Sequence, residues 1–114
     1  MRHRRGHALR RRYGHALLGH KVQDAYHYAL MAAGGIVDGV ESTFVGNRGS
    51  LFAGSHSPAA YLRAAKREAR AAGIKLPRKA SMVAEEGAQL ARLIRDEAAK
   101  EGIDANSGVP FGVT

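Results

Sequence analysis

Apolar residues recur at helical spacing in three segments of this 114-residue chain. Because an α-helix makes one turn every 3.6 residues, positions three and four apart share one face. The first segment covers residues 22–33 and carries the apolar stripe Val22, Tyr26, Ala29, Leu30 and Ala33. This pattern predicts a helix that ends at the glycine pair Gly34 and Gly35.

The second segment, residues 58–72, has helix signals at both of its ends. Ser57 is a good N-cap residue, Pro58 suits the first helical position, and Gly73 follows the last turn. One face of this segment is apolar and consists of Leu62, Ala65, Ala69 and Ala72. We therefore predict a helix over residues 58–72.

The third segment, residues 82–101, has Ser81 as a candidate cap and Gly102 as its stop. Its predicted apolar face consists of Val83, Leu90, Leu93 and Ile94. Each predicted helix is followed by a glycine and an isoleucine, in the pairs Gly35-Ile36, Gly73-Ile74 and Gly102-Ile103. Such a pair is typical of a left-handed glycine cap whose next residue packs back onto the last turn.

The predicted fold class is mainly α, with about three helices joined by glycine-rich loops in a small body over residues 22–103. Residues 36–56 mix β-prone residues with glycines and serines, which predicts an irregular loop. Residues 104–114 are predicted to form an extended tail. Because the helices present mostly alanine to each other, the core should be thin. We expect a component of a larger assembly rather than a self-sufficient enzyme.

The positive charge of the chain is concentrated at its N-terminus. The net charge is +8 at pH 7, and residues 1–21 contain seven cations and no acid, so the other ninety-three residues sum to about +1. The seven cations are Arg2, Arg4, Arg5, Arg10, Arg11, Arg12 and Lys21. Like charges at this density repel each other and are most stable beside a polyanion. We predict that residues 1–21 form an extended arm that binds nucleic acid without reading its sequence.

A short cassette, GHAL, occurs twice in this arm, at residues 6–9 and 14–17, and arginines precede both copies. Glycine lets the backbone follow a phosphate path, and arginine can hold a phosphate through two hydrogen bonds. Tyr13 lies between the copies and could stack on an unpaired base. The alternative is that the arm docks on an acidic protein surface.

A second basic block covers residues 63–79, where seven cations face the single acid Glu68. Four of them recur at helical spacing, and six are predicted to bind nucleic acid: Arg63, Lys66, Arg67, Arg70, Arg78 and Lys79. An ordinary solvated face is the competing interpretation. The acidic residues of the third predicted helix could instead pair with this block, within the fold or between copies.

Several other sequence features do not predict a site. His20, Asp24 and His27 would share a helical face and could hold a metal, but a solvated face explains them more simply, and no metal is predicted. Protonation of the clustered histidines below about pH 6.5 could tighten polyanion binding. The GxxG at residues 46–49 is read as a turn. No catalytic motif is present, so we predict no enzyme activity, no catalytic residue and no cofactor.

Membrane insertion and secretion are not predicted. The longest apolar stretch, residues 28–37, is about ten residues long, where a spanning helix needs about twenty. The chain has no cysteine, so no disulfide can hold it. The expected location is the interior of a virion or the host cytoplasm.

In its arginine, histidine and glycine content, the segment 1–21 resembles the basic DNA-binding and minor virion proteins of small single-stranded-DNA phages. The resemblance is compositional, covers only this segment and implies a basic segment lying against a packaged genome. It favours DNA over RNA, and a capsid as the protein partner. The segment also looks like the basic extensions of ribosomal proteins. The predicted function is therefore a structural nucleic-acid-binding protein, with a ribonucleoprotein component and a protein-docking adaptor as alternatives.

Overall fold

The structure, a computed structural model, describes residues 5–41 and 57–112, with side chains from residue 19 onward. The elements in this part are, in chain order, α1 (Arg5–Ala32), β1 (Ile36–Val37), β2 (Val40–Glu41), α2 (Pro58–Ala71) and α3 (Val83–Lys100). The prediction of a mainly α fold is confirmed, and two short strands are added to it.

Helix α1 starts earlier than predicted, at Arg5 rather than near residue 22. Alanine, leucine and arginine favour helix, and the isolated glycines at positions 6, 14 and 19 cost only about 1 kcal/mol each. The backbone of residues 5–21 is therefore helical, where the charge pattern predicted an extended arm. Residues 1–4, with Arg2 and Arg4, lie outside the described residues, as do the side chains of residues 5–18.

Helix α1 is the central element, because it packs against both α2 and α3, which touch each other less. The largest fully buried side chains are Tyr26 and Leu30 of α1, Leu90 and Ile94 of α3, and Ile103. Half of the buried apolar residues in the described part are alanine. Small side chains let the helices approach closely at the cost of buried area, as the alanine-rich pattern predicted.

Helix α3 lies close to the end of α1 at Gly87. A Cβ atom at this position would lie 3.0 Å from the Ala29 carbonyl oxygen and the Ala32 Cβ of α1, and 3.0 Å from the amide nitrogen of Ala33, which follows α1. Such distances are shorter than ordinary van der Waals contact between carbon atoms, which is about 3.5–4.0 Å. Glycine therefore sets how near the two helices lie.

The ends of α2 form as predicted. The Ser57 hydroxyl accepts a hydrogen bond from the Ala60 amide at 3.2 Å, which satisfies one of the free N–H groups of the first turn. At the other end Gly73 has a φ of +82° and donates to the Arg70 carbonyl. The Ile74 amide donates to the Ala69 carbonyl, and Ile74 is buried. This is the Schellman arrangement of a helix C-terminus.

The other two predicted glycine caps differ from each other. Gly102 and Ile103 repeat the arrangement at the end of α3, with Ile103 buried. At the end of α1, however, Gly34 takes the left-handed position and the Gly35 amide donates to the Leu30 carbonyl at 2.7 Å. Because Gly35 already occupies the position after the cap, Ile36 falls one residue too late and is 58% exposed.

Two details of α3 differ from the prediction. Its N-cap residue is Met82 rather than Ser81, and no side chain caps the first turn. Val83 is exposed, whereas Leu90 and Ile94 are buried and Leu93 packs against the core. The buried face therefore lies further along the helix than the pattern indicated.

Strands β1 and β2 form a two-residue hairpin in which Ile36 lies opposite Glu41 and Val37 opposite Val40. Its turn residues, Asp38 and Gly39, have φ angles of +54° and +81°, as a tight hairpin turn requires. The Asp38 carboxylate accepts hydrogen bonds from Arg92 at 3.2 Å and from Arg95 at 2.9 Å, both on α3. These hydrogen bonds lower the pKa of Asp38. The predicted loop is thus a hairpin over residues 36–41, and residues 42–56, including the GxxG, lie outside the described part.

The C-terminal segment is folded rather than extended. Ile103 pairs with Pro110, the Asp104 amide donates to the Val109 carbonyl at 2.9 Å, and the Gly108 amide donates to the Asp104 carbonyl at 2.7 Å. These hydrogen bonds close a compact C-terminal loop, residues 103–111. The predicted extended tail is therefore wrong for these residues. The loop is held by hydrogen bonds between its own two ends and by contacts with α1, which is distant in the sequence.

The C-terminal loop is fastened to α1 by polar contacts. His27 Nε2 lies 2.9 Å from the Asn106 carbonyl oxygen and 3.0 Å from its Oδ1 atom. Because a carbonyl oxygen can only accept, Nε2 carries the proton in this contact. The Gln23 side chain donates to the same carbonyl oxygen at 3.3 Å. His27 is 2% exposed, so its predicted position on a solvated face is wrong.

Candidate functional site

The exposed side of α2 presents three arginines, Arg63, Arg67 and Arg70. We call these three residues the α2 basic face. Their spacing of four and three residues places them on one side of the helix, over about 10 Å of its length. The opposite side of α2, with Leu62, Ala65 and Ala69, is buried as predicted. The guanidinium groups of this face are therefore directed outward by the packing of the helix.

Only one member of the α2 basic face has an ion pair in the described part of the chain. Arg67 Nε lies 3.9 Å from the Glu68 carboxylate, at the limit of such a contact, and the Arg67 side chain is 66% exposed. An exposed pair of this kind contributes about 0–1 kcal/mol. The arginines of this face are thus available to an external anion.

Lys66, the fourth cation of the predicted stripe, does not belong to this open face. Its ammonium group pairs with the carboxylate of Glu86 on α3, and both side chains are mostly buried. Lys66 therefore joins α2 to α3 and is occupied by an acid within the fold. The sequence left open that acidic residues of the third predicted helix pair with the basic block. The structure shows such a pair for Lys66.

Glu86 is a buried acid with contacts on two elements. Its second carboxylate oxygen accepts a hydrogen bond at 3.2 Å from the amide of Ala80, which precedes α3. Burial alone would raise the pKa of Glu86, but the hydrogen bonds from Lys66 and from the Ala80 amide outweigh burial, and the pKa is lowered. Glu86 is therefore held in its charged form.

The segment between α2 and α3 adds three exposed cations, Lys75, Arg78 and Lys79. We call them the loop cations. The segment is anchored at Ile74, which is buried, and at Leu76, which packs against the core. None of the loop cations pairs with a carboxylate among the residues that the structure describes. Lys79 is near enough to Glu86 to help lower the pKa of that carboxyl group.

Lys21, the last cation of the predicted arm, contacts the body. Its ammonium group lies 3.6 Å from the Glu68 carboxylate of α2, and its side chain is 39% exposed. Glu68, the only acid of the second basic block, therefore lies between Lys21 of α1 and Arg67 of the α2 basic face. The end of the arm and this face meet at one carboxylate.

The two histidines of the predicted cluster whose side chains are described, His20 and His27, have different surroundings. His20 pairs with Asp24 at 3.5 Å and is more than half exposed, whereas His27 is buried against the C-terminal loop. In the described residues no group of three histidine, aspartate or glutamate side chains is placed to hold a metal ion. Nor does any described helix have the length and apolarity needed to cross a membrane.

No protein-family model, curated protein or solved structure matches this chain.

The predicted binding residues fall into three groups. Five are exposed, on the α2 basic face or in the segment that follows it, namely Arg63, Arg67, Arg70, Arg78 and Lys79. Lys21 and Lys66 are paired with carboxylates. The other seven lie in the arm, with side chains outside the described part: Arg2, Arg4, Arg5, Arg10, Arg11, Arg12 and Tyr13. The structure adds Lys75 to the exposed group.

The sequence prediction did not single out Glu86. A signal was present, because Glu86, Leu90 and Ile94 are spaced four apart and therefore share one helical face. An acid at a core-facing position is rarely buried without a partner. The lysine that pairs with it lies twenty positions earlier, so local spacing could not identify it.

Proposed function

We propose that this chain is a non-enzymatic structural protein that binds nucleic acid through its phosphate backbone, without reading sequence. The observation that supports this function best is the set of exposed cations on the α2 basic face and the adjoining loop, with almost no acid to neutralise them. Contacts of lysine and arginine with phosphate release counterions and supply affinity for any sequence. Residues 1–21 add further cations to the same function.

The setting that we propose is a virion interior, where the arm contacts the packaged genome. This part rests on the resemblance of residues 1–21 and stays a prediction, as does the preference for DNA. A ribonucleoprotein component would use the same cations on RNA. A protein-docking adaptor would instead use them on an acidic protein surface.

Salt dependence of binding tests the proposal. The probes are a fluorescein-labelled 20-nucleotide oligo-dT, the corresponding oligo-U and a 20-base-pair DNA duplex, followed by anisotropy from low to moderate salt. The variant Arg63→Gln/Arg70→Gln removes two exposed cations. The slope of log affinity against log salt should flatten by about 1.4 on the single strands and about 1.8 on the duplex, at about 0.7 and 0.9 per contact.

The control variant is Arg92→Gln/Lys100→Gln, which removes the same charge from α3. Arg92 is engaged with Asp38, and Lys100 pairs with Glu97 at 3.1 Å. This control should change the slope by much less. Equal slopes in the two variants would show an effect of net charge alone and would contradict the assigned surface.

The arm is tested separately with Arg10→Ala/Arg11→Ala/Arg12→Ala. Three lost contacts should flatten the single-strand slope by about two, at about 0.7 per contact, equally for every sequence. Wild-type protein that binds none of the three nucleic acids at physiological salt, while an immobilised acidic protein retains it, would favour the adaptor.

A further inference from the structure

The α2 basic face and the loop cations come from two elements that meet at one buried carboxylate. On the α2 side, Glu86 pairs with Lys66, which lies between Arg63 and Arg67 in the sequence of the helix. On the loop side, Glu86 accepts the hydrogen bond of the Ala80 amide, directly after Arg78 and Lys79. A single side chain therefore connects the backbone of the loop to the helix that carries the arginines.

Within the described part of the chain, the backbone of residues 75–81 makes one hydrogen bond, from the Ala80 amide to Glu86. The segment is otherwise held by the packing of Ile74 and Leu76 near its start and by α3 at its end. A loop with few fixed contacts samples many conformations, and ordering each residue costs about 1–2 kcal/mol of backbone entropy. The position of Arg78 and Lys79 therefore depends on the contact with Glu86.

We propose that Glu86 is a positioning residue that holds Arg78 and Lys79 beside the α2 basic face, so that both groups bind one nucleic-acid backbone. This inference rests on the proposed function and deepens it. The acid does not touch the phosphates. It holds the two sets of cations in place before the nucleic acid binds, which lowers the entropy cost of ordering the loop on binding.

The direction in which one substitution changes the binding affinity separates this role from simple electrostatics. Glu86→Ala removes a negative charge beside a cationic surface and frees Lys66, so electrostatics alone predicts tighter binding. Positioning predicts weaker binding to oligo-dT, because Arg78 and Lys79 are released. If both contacts are lost, the salt slope flattens by about 1.4, at about 0.7 per contact.

Glu85→Ala is the matched control. Glu85 is the adjacent residue and is exposed, and among the described residues no hydrogen bond or ion pair joins it to the loop. The change in charge is the same as in Glu86→Ala, so Glu85→Ala should bind oligo-dT as tightly as wild type or slightly more tightly. Glu86→Ala that binds as tightly as Glu85→Ala overturns the proposal.

A second variant keeps the proposal testable if Glu86→Ala loses its helical circular dichroism. Ala80→Pro removes the amide donor, leaves every charge in place and keeps the Lys66–Glu86 pair. Like Glu86→Ala, it should weaken oligo-dT binding and flatten the salt slope. Unchanged binding overturns the inference. If wild type and Arg63→Gln/Arg70→Gln differ as expected while Ala80→Pro matches wild type, the proposed function stands and this inference fails.

Discussion

Replacement of Gly19 by alanine should destabilise the fold, although alanine is the better helix former. Gly19 lies within α1, where the exchange of glycine for alanine ordinarily stabilises by up to about 1 kcal/mol. A Cβ atom at this position, however, would lie 1.9 Å from the Gly108 carbonyl oxygen and 3.0 Å from the Gly108 carbonyl carbon. The added Cβ and the Gly108 carbonyl are both fixed to their backbones, so neither can rotate away. The C-terminal loop must therefore move from α1 by about 1 Å or more to reach ordinary contact distance.

That movement breaks the polar contacts that fasten the loop. Displaced by 1 Å, the contacts of Asn106 with His27, now 2.9 and 3.0 Å, pass beyond hydrogen-bond distance. A buried polar group left without its partner costs about 1–3 kcal/mol, and the weaker contact from Gln23 adds to the loss. The loss of about 3 kcal/mol exceeds the helix gain of about 1 kcal/mol, so the net destabilisation is about 2 kcal/mol.

Thermal and urea unfolding followed by circular dichroism measure this effect. A loss of about 2 kcal/mol lowers Tm by about 10 °C in a domain of this size. Gln89→Ala and Gln89→Gly, at an exposed position of α3, measure the helix preference for alanine in this same protein. If Gly19→Ala raises the free energy of unfolding as Gln89→Ala does relative to Gln89→Gly, the close approach of Gly19 to Gly108 is refuted.

Three further predictions concern α2 and α3. Ser57→Ala should lower the free energy of unfolding by about 1 kcal/mol through loss of the N-cap hydrogen bond, measured by urea unfolding against Ser57→Asp, which retains an acceptor. Gly87→Val should lower it by about 2 kcal/mol, since the added methyl groups force α3 away from α1, and a melting temperature equal to that of wild type would contradict this packing. The pKa of Glu86 is lowered in the folded state. Its ionised form therefore stabilises the fold fully above the ordinary glutamate pKa of about 4.3, and this stabilisation is lost as the pH falls below that value. Glu86→Gln should show a smaller loss of the free energy of unfolding than wild type between pH 6 and pH 3.

The helices and their ends were predictable because their signals are local. The bounds of α2 follow from a capping serine, a proline at the first position and a glycine after the last turn, all of which act within a few residues. The hairpin was predictable in principle as well, since Asp38-Gly39 is a strong signal for a tight turn. It was missed because the glycines and serines that follow in the sequence indicated one continuous loop.

The C-terminal loop and the buried histidine were not predictable from local pattern. Asn106 meets His27 across 79 positions of sequence, and neither residue belongs to an apolar stripe. A polar residue that is buried by a distant partner has the same local pattern as one that faces water. His27 was therefore assigned to a solvated face by a rule that is sound for most histidines on a helix.

Some cations of the basic block are paired with carboxylates and others are exposed. This difference limits the number of phosphate contacts that the block can make, and so limits its contribution to the salt slope. Six exposed cations belong to the α2 basic face and the loop cations: Arg63, Arg67, Arg70, Lys75, Arg78 and Lys79. Lys66 is excluded from this group because binding through it would leave Glu86 buried and unpaired, which costs about 3–5 kcal/mol in buried pairs. At about 0.7 per contact, these six cations account for a single-strand salt slope of at most about −4. Arg92 and Lys100 are exposed too, but they are paired with Asp38 and Glu97. We therefore expect a steeper slope in the wild type to come from residues 1–21, and replacement of Arg10, Arg11 and Arg12 should bring it back toward this limit.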